Sequence, residues 1–586
     1  MLLVTLSAAI VGTAALAASP FYRIEIEAPA PLRKLLETHL DLARYQSRED
    51  IGDEQLKFML ATAPDQVTEL VSTEGYFAPA TSIAVQDADG GGVKVVKITV
   101  DPGRRTTVSA VDIGVGGAVA VQEPQRIDAI RSSWSLPAGQ PFRQQDWDAA
   151  KDQALQTLQK SRYAAARLVE SQARVEPEQQ DAQLSASYDS GPSFTLGELQ
   201  ITGAKRYPAD IIRNVNPLTP GEPYSVERLL ALQRQIQNTP YFSNVIVGID
   251  DDPEHADMAP VKVQVSEFPA QRIRGGVGYS TDTGAQLEGR YSHFNVFDRA
   301  WTFDSQLKLE QQRQYGKLEL AMPPDSKSFV NSVNTSRDRT TLEGVDLRSF
   351  RVGLKRARSR ELYDTAYTLD YYSDELKQES GATLPADTVT SPGIHHALVP
   401  GFSWARRDVD DAIFPRRGHL LSLQAGVALK GLLTDQTFTR LNGRYRLYIP
   451  AGKRDLMIFR TEAGAVFTKG SSAEVPASLL FRAGGSDSVR GYDYQSIGNK
   501  KDGTVYPNKY LFTASAEYQR WFSQQWGAAV FYDVGTTADN WSNKRLFTGT
   551  GVGARWRSPV GVINADLAYG VQEKQFRPHI SLGIAF

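Results

Sequence analysis

The chain has 586 residues, more than one ordinary domain needs. Basic and acidic side chains nearly cancel (65 against 67, net charge -2), so no overall field favours nucleic acid or an acidic substrate. Cysteine is absent, which excludes disulfides, thiolate metal sites and thiol nucleophiles together.

Residues Leu2 to Ala18 form an apolar stretch ending in Ala15-Leu16-Ala17-Ala18, a small-x-small pattern followed by Ser19-Pro20 and charged sequence. This reads as a secretory signal, residues 1–17, although the first basic side chain is Arg23 and a basic n-region is missing. A buried N-terminal helix is the alternative. Beyond Ala18 no run of 18 apolar residues occurs, so any later membrane crossing must use strands.

A threefold pattern follows. Helical periodicity covers Glu54 to Val71, Gln144 to Leu158 and Val226 to Gln237, the last with an apolar stripe of Leu229, Leu230, Leu232 and Ile236. Each stretch leads into an aromatic-rich opening and a strand: Gly75-Tyr76-Phe77 to Val85, Arg162-Tyr163-Ala164 to Val175, and Pro240-Tyr241-Phe242 to Ile249. A second alternating strand closes each repeat at Val93 to Val100, Ala182 to Tyr188 and Val261 to Val265. The lead-ins Leu136-Pro137-Ala138-Gly139-Gln140-Pro141-Phe142 and Leu218-Thr219-Pro220-Gly221-Glu222-Pro223-Tyr224 match in Leu, Gly, Pro and the aromatic, and Gln144 and Ser225 stand where a helix cap is expected. The short Pro/Gly connectors 100–105 and 188–193 predict a semi-rigid arm rather than beads on a string. The boundaries are 21–101, 104–189 and 192–268.

From Gln271 to Phe586 the pattern changes to strands with one apolar and one polar face. In Trp301 to Leu309, Trp301, Phe303, Leu307 and Leu309 alternate with Thr302, Asp304, Gln306 and Lys308; from Val562 to Tyr569, Ile563, Ala565, Leu567 and Tyr569 alternate with Val562, Asn564, Asp566 and Ala568. At about 10 residues per tilted strand plus turns, residues 271–586 hold about sixteen strands. A soluble β-sandwich shares the period of two. A closed membrane barrel additionally explains the final run, where Ile580, Leu582, Ile584 and Phe586 share one face. The charged faces must then look into a polar, hydrated lumen, because Lys or Arg at mid-bilayer costs roughly 2–4 kcal/mol.

Val489-Arg490-Gly491-Tyr492 lies in a glycine-rich stretch, and two acids occupy polar faces of later strands: Glu517 in Ser515-Ala516-Glu517-Tyr518-Gln519 and Asp533 in Phe531-Tyr532-Asp533-Val534-Gly535. An arginine folded into a lumen needs such partners, whereas a solvated loop arginine does not.

With these motifs and the repeats in front of them, the chain resembles the outer-membrane assembly barrel family that includes BamA and TamA. The resemblance implies a transmembrane β-barrel of about 16 antiparallel strands at 271–586, preceded by three tandem α/β POTRA (polypeptide-transport-associated) domains in the periplasm. It places Val489, Arg490, Gly491 and Tyr492 on a loop folded into the lumen, with Asp533 and Glu517 as carboxylate partners. Gly276-Val277-Gly278-Tyr279-Ser280-Thr281-Asp282-Thr283-Gly284 resembles the first strand, Phe414-Pro415-Arg416-Arg417-Gly418 a turn into a mid-barrel strand, and Gly551 to Gly561 the penultimate strand. A lateral seam is expected between Gly276, Gly278, Tyr279 and Ile580, Leu582, Gly583, Ile584, Phe586, where glycines weaken the ladder. Three repeats, against five in the BamA type and two in two-partner secretion transporters, fit a TamA-like subunit of the translocation and assembly module. That resemblance implies autotransporter-type clients, a TamB-like inner-membrane-anchored partner and contact with the lipid bilayer.

No enzyme signature competes. There is no Gly-x-Ser-x-Gly elbow, no His-Glu-x-x-His and no phosphate loop, so neither catalysis nor a cofactor is expected. The expected mechanism is strand chemistry: a client strand cannot enter hydrocarbon with unpaired amides, and a weak seam offers it an edge. A two-partner secretion transporter and a passive outer-membrane pore are the alternatives.

Overall fold

The computed structural model describes residues 21–585, apart from 49, 88–92, 343–344, 361, 379–390, 432, 470–473, 502–503 and 559–560. The signal reading at 1–17 and the seam assignment of Phe586 therefore lie outside the described residues. The chain forms two compact units, one comprising Met1–Glu198, Leu218–Leu229 and Ile249–Val261, the other Leu199–Pro217, Leu230–Gly248 and Lys262–Phe586.

In the first unit each repeat is a three-stranded sheet covered by helices. The first repeat places Lys94–Asp101 at the centre, parallel to Tyr22–Glu27 and antiparallel to Ala80–Asp87. The second places Asp181–Asp189 between Thr107–Gly116 and Arg167–Glu176 with the same sense. The helices read at Glu54 and Gln144 are Asp53–Ser72 and Gln144–Gln159. Their apolar stripes bury Leu56, Ala63 and Val67 against Val96 and Ile98 in one core, and Trp147, Ala154 and Leu158 against Leu184 and Ala186 in the other. The third repeat has the strand order Leu196–Thr202, Ala259–Glu267, Phe242–Ile249, with its helix at Val226–Gln237.

Two expectations change here. Gly75-Tyr76-Phe77 and Arg162-Tyr163-Ala164 do not open strands, which start at Ala80 and Arg167. Their backbone is occupied by the following repeat instead: the Thr106 amide donates to the Gly75 carbonyl (2.9 Å), and the Phe194 amide donates to the Arg162 carbonyl (2.6 Å). Gln144 does not cap its helix either, since the N-cap position is Arg143 and no side chain fills it. The Gln144 amide is satisfied by the Thr73 carbonyl at 2.9 Å, and at the next junction the Val226 amide uses the Lys160 carbonyl at 3.0 Å. An orphan donor of each helix start is thus spent on tying repeat to repeat. Glu74 adds a bidentate ion pair to Arg143 at 2.9 and 3.0 Å. The same bonding pattern occurs at both junctions.

The second unit contains a closed barrel of sixteen antiparallel strands, from Gln271–Ser280 to Gln575–Ala585. Leu307, Leu318, Leu354, Val530, Val552 and Leu567 face outward and are exposed. Between them, inward side chains form ion pairs such as Arg290–Asp304 (2.8 Å) and Arg351–Asp370 (2.8 Å). An apolar outside with a charged inside is the inverse of a soluble domain and suits hydrocarbon. Phe414-Pro415-Arg416-Arg417-Gly418 leads into the strand Gly418–Ala428, as read. Gly551 to Gly561 does not form the penultimate strand: Gly551 to Ser558 belongs to Phe547–Ser558, and the penultimate strand is Gly561–Gly570. Period-two patterning marks a strand but not its ordinal place, hence the offset.

Within this unit the third-repeat segments Leu199–Pro217 and Leu230–Gly248 are tied to barrel turns. The Tyr241 hydroxyl donates to the Ala300 carbonyl (2.7 Å), the Asn214 amide group donates to the Pro324 carbonyl (2.8 Å), and the Ser328 hydroxyl donates to the Asn214 carbonyl (2.7 Å).

Candidate functional site: a plugged lumen beside a short seam

The segment between strands Asp455–Thr468 and Tyr510–Trp521 turns back into the barrel. Its root is apolar: Val475, Leu479, Leu480, Phe481, Val489, Tyr492 and Ile497 pack on the inward side chains Val399, Phe438, Val466 and Leu511. The lumen is therefore not uniformly polar, as the alternation alone suggested. A patch of its wall is hydrophobic because the loop keeps water off it.

At the loop tip, Arg490 is almost fully buried (3% exposed) and Asp533 entirely so. Arg490 Nε and Nη2 donate to the two Asp533 oxygens at 2.8 and 2.9 Å, and the Arg490 amide reaches Oδ2 at 3.1 Å. Arg490 Nη1 donates to Glu517 Oε2 at 2.7 Å. The guanidinium carbon also lies 3.4 Å above the centre of the Phe531 ring, a cation–π contact supplied by the same strand as Asp533. Val489 is buried, and the Tyr492 hydroxyl donates to the Thr548 carbonyl at 3.1 Å. The structure thus brings Arg490, Asp533 and Glu517 into one cluster.

Three further members escaped the sequence reading. Asp566 accepts from Arg490 Nη1 at 3.0 Å. Arg555 bridges Glu517 (3.0 and 2.8 Å) and Asp566. Arg460 donates to Ser515 at 3.2 Å and stands 3.9 Å from Asp533. Three arginines then face three carboxylates, so the buried cluster is neutral overall, which a low-dielectric site requires. Asp566 lay on a polar face in the alternation, and Arg555 in a stretch already quoted. Only cross-strand register shows that both abut the loop.

The glycines of this region make room for backbone. Gly549 and Gly570 are directly paired across adjacent strands. A Cβ at Gly549 would overlap the Arg490 carbonyl, and one at Gly570 would overlap the Gly491 carbonyl. A Cβ at Gly535, the last residue of the Phe531 to Gly535 motif, would stand 2.5 Å from a Val489 methyl. The loop tip rests on a side-chain-free floor, and the motif's glycine is part of that floor.

The first and last strands pair at Gly276↔Ala585, Val277↔Ile584, Gly278↔Gly583, Tyr279↔Leu582 and Ser280↔Ser581. The next step is irregular: the Ile580 amide donates to the Thr281 hydroxyl (3.0 Å) while the Thr281 amide donates to the Ile580 carbonyl (2.9 Å). On its other side the last strand pairs with Gly561–Gly570 only over Gln575–Ser581. Ser581 alone belongs to both ladders, so the last strand changes neighbours partway along its length. Val277 and Tyr279 point outward and are half exposed. Gly276 and Gly278 alternate with them and leave the inner side of the first strand without side chains between Arg274 and Ser280. Among the described residues the other ladders of this wall run from seven pairs, between Gly561–Gly570 and Gln575–Ala585, to fifteen, between Val345–Ser359 and Tyr363–Gln378.

A closed antiparallel barrel with an apolar belt, a lumen loop anchored by a buried arginine and a short closing seam defines a class of outer-membrane barrel. The sequence assigns it further: the Omp85 superfamily domain model matches residues 276–586, more than half of the chain, and the chain belongs to that superfamily. The POTRA model, described as a surface antigen variable number repeat, matches residues 194–267. The outer membrane protein assembly factor BamA of Nitratidesulfovibrio vulgaris is 24% identical over 413 residues, covering 64% of this chain and 48% of that protein. The BamA of Neisseria meningitidis serogroup B is 21% identical over 468 residues, covering 74% and 56%. The chain thus spans about half the length of these curated relatives. The crystal structure of BamA from Haemophilus ducreyi lacking POTRA domains 1-3 superposes with a TM-score of 0.61 at 16% identity, covering 82% of this chain and all of that one. At that identity the likeness speaks for the fold.

Proposed function

We propose that this protein is an outer-membrane assembly factor that admits client β-strands through the seam between its first and last barrel strands. The carrying observation is the five-pair ladder at Gly276–Ser280, together with the last strand's change of neighbour at Ser581. A client strand in the periplasm carries unpaired amides, and an edge that opens cheaply lets it gain partners before it meets lipid. Each ladder hydrogen bond contributes a net ~0.5–1.5 kcal/mol, so the five described pairs of the seam open at lower cost than the ten between the first two strands. No nucleotide hydrolysis is invoked; the client's own burial in the bilayer drives the exchange.

The finer reading is a TamA-like subunit. It takes the first two repeats as POTRA domains like the third, giving three in a periplasmic arm with sheet edges open to strand addition. It assigns autotransporter-type clients, a TamB-like partner docked on that arm, and no catalysis or cofactor. Three repeats favour it over a two-partner secretion transporter, and a lumen partly occupied by the anchored Arg490 loop disfavours a passive pore.

The test uses the absence of native cysteine. Gly278→Cys with Gly583→Cys places one thiol on each side of the seam at a directly paired position. Crosslinking is expected to stop client assembly and reduction to restore it. Full assembly by fully crosslinked protein overturns the reading.

A further inference from the structure

The lumen loop touches both sides of the seam as well as the acidic cluster. On the first-strand side, the Ser486 amide donates to Asp282 Oδ2 at 3.0 Å, and the Ser486 hydroxyl lies 3.2 Å from Oδ1. On the last-strand side, His579 is buried, and its Nε2 lies 2.8 Å from the Gly491 amide. An amide only donates, so Nε2 accepts and the ring proton sits on Nδ1. That Nδ1 faces the Ser486 hydroxyl at 3.3 Å and Asp282 at 3.7 Å. Arg577, two residues earlier on the same strand face, binds both Asp493 oxygens at 2.9 Å and the Gly491 carbonyl at 3.0 Å. Ser486 is thus shared between Asp282, just beyond the end of the first strand, and His579 on the last.

From this geometry we infer that the loop is a clasp across the seam, with His579 and Asp282 as positioning residues that make release of the loop and opening of the seam one event. Among the described residues the ladder under the clasp has five pairs. The strands part once the loop leaves either side, so the hold it adds is that of its weaker side, the Ser486–Asp282 bonds, which is a sizeable addition to so short a ladder. Arg490 sits one residue before Gly491, whose amide His579 holds. Displacement of Arg490 from Asp533 therefore pulls directly on the last strand. This rests on the seam being the gate, but it makes its own prediction about the free protein.

The readout is the hydrogen-exchange rate of the seam-ladder amides at Gly276–Ser280 and Ser581–Ala585, which scales with the open fraction, in full-length protein in lipid vesicles without client. His579→Phe keeps ring volume and removes the acceptor; His579→Gln restores an acceptor for the Gly491 amide. Loss of one such tie is expected to speed this exchange about three- to tenfold in His579→Phe, the equivalent of one hydrogen bond of usual net strength, with recovery in His579→Gln. Arg490→Ala is expected to speed it as well, and adding His579→Phe to Arg490→Ala to bring no further change. Asp282→Asn gives the same test from the other strand if His579→Phe fails to fold. Wild-type rates in both His579→Phe and Asp282→Asn, or full additivity of His579→Phe with Arg490→Ala, overturn the clasp. Rates that change as expected while crosslinked protein still assembles clients uphold the clasp and remove the gate reading instead.

Discussion

Gly549 and Arg490 occupy one volume between them: the Arg490 carbonyl stands where a Gly549 side chain would begin. Gly549→Ala is therefore expected to lift the loop tip off its floor while leaving the strand itself intact, since alanine fits a strand well. Limited trypsin digestion checks this. Cleavage after Arg490 is expected in Gly549→Ala and not in the wild type, where that arginine is buried.

Asp533 accepts three bonds from Arg490. Removing one partner of a buried pair typically costs 3–5 kcal/mol, because the survivor is left uncompensated. Glu517 and Asp566 remain near Arg490, so Asp533→Ala is expected at the lower end, about 3 kcal/mol. The double variant Arg490→Ala/Asp533→Ala is expected to be no less stable than Asp533→Ala alone. Heat-dependent gel mobility of the folded barrel measures both, and strict additivity would contradict the cluster.

Gly75 holds a positive φ of 90°, and a Cβ there would run into the Phe142 carbonyl. Gly75→Ala is expected to break the first repeat junction by displacing the second repeat's lead-in. Faster hydrogen exchange at the Thr106 and Gln144 amides, which donate to Gly75 and Thr73, is the signature in the full chain. Unchanged protection there would mean that the junction tolerates the clash.

Leu307 and Gln306 are neighbours on opposite faces of one strand, Leu307 outward and exposed, Gln306 inward and bonded to Glu288 at 2.7 Å. Leu307→Arg is expected to cost roughly 2–4 kcal/mol if the residue lies at mid-bilayer, whereas Gln306→Arg gains Glu288 as a partner and costs little. Unfolding by denaturant in lipid bilayers separates the two. Equal costs would mean that the outer face does not meet hydrocarbon.

Most of the barrel was legible because a wall with one apolar and one polar face writes a period of two into every strand. The facing of Asp533 away from Tyr532 follows from that alone. Asp566 and Arg555 were not assigned because adjacency to Arg490 depends on register across separate strands, which a single chain does not encode locally. The repeat junctions were misread for a related reason. Tyr76 and Tyr163 look like strand openings locally, yet the backbone around them is claimed by the next repeat. Nor did alternation reveal the change of neighbour at Ser581, since a strand's side-chain pattern is the same whichever edge it pairs with.

That change of neighbour has a kinetic side. Among the described residues, Gly561–Ile563 have no ladder partner facing Leu582–Ile584. On the proposed reading, an arriving segment would dock on this vacant toehold first and then displace the resident pairs one at a time, as one nucleic-acid strand replaces another by branch migration. The barrier to exchange would then be set by a single step of the zipper rather than by parting the whole seam at once.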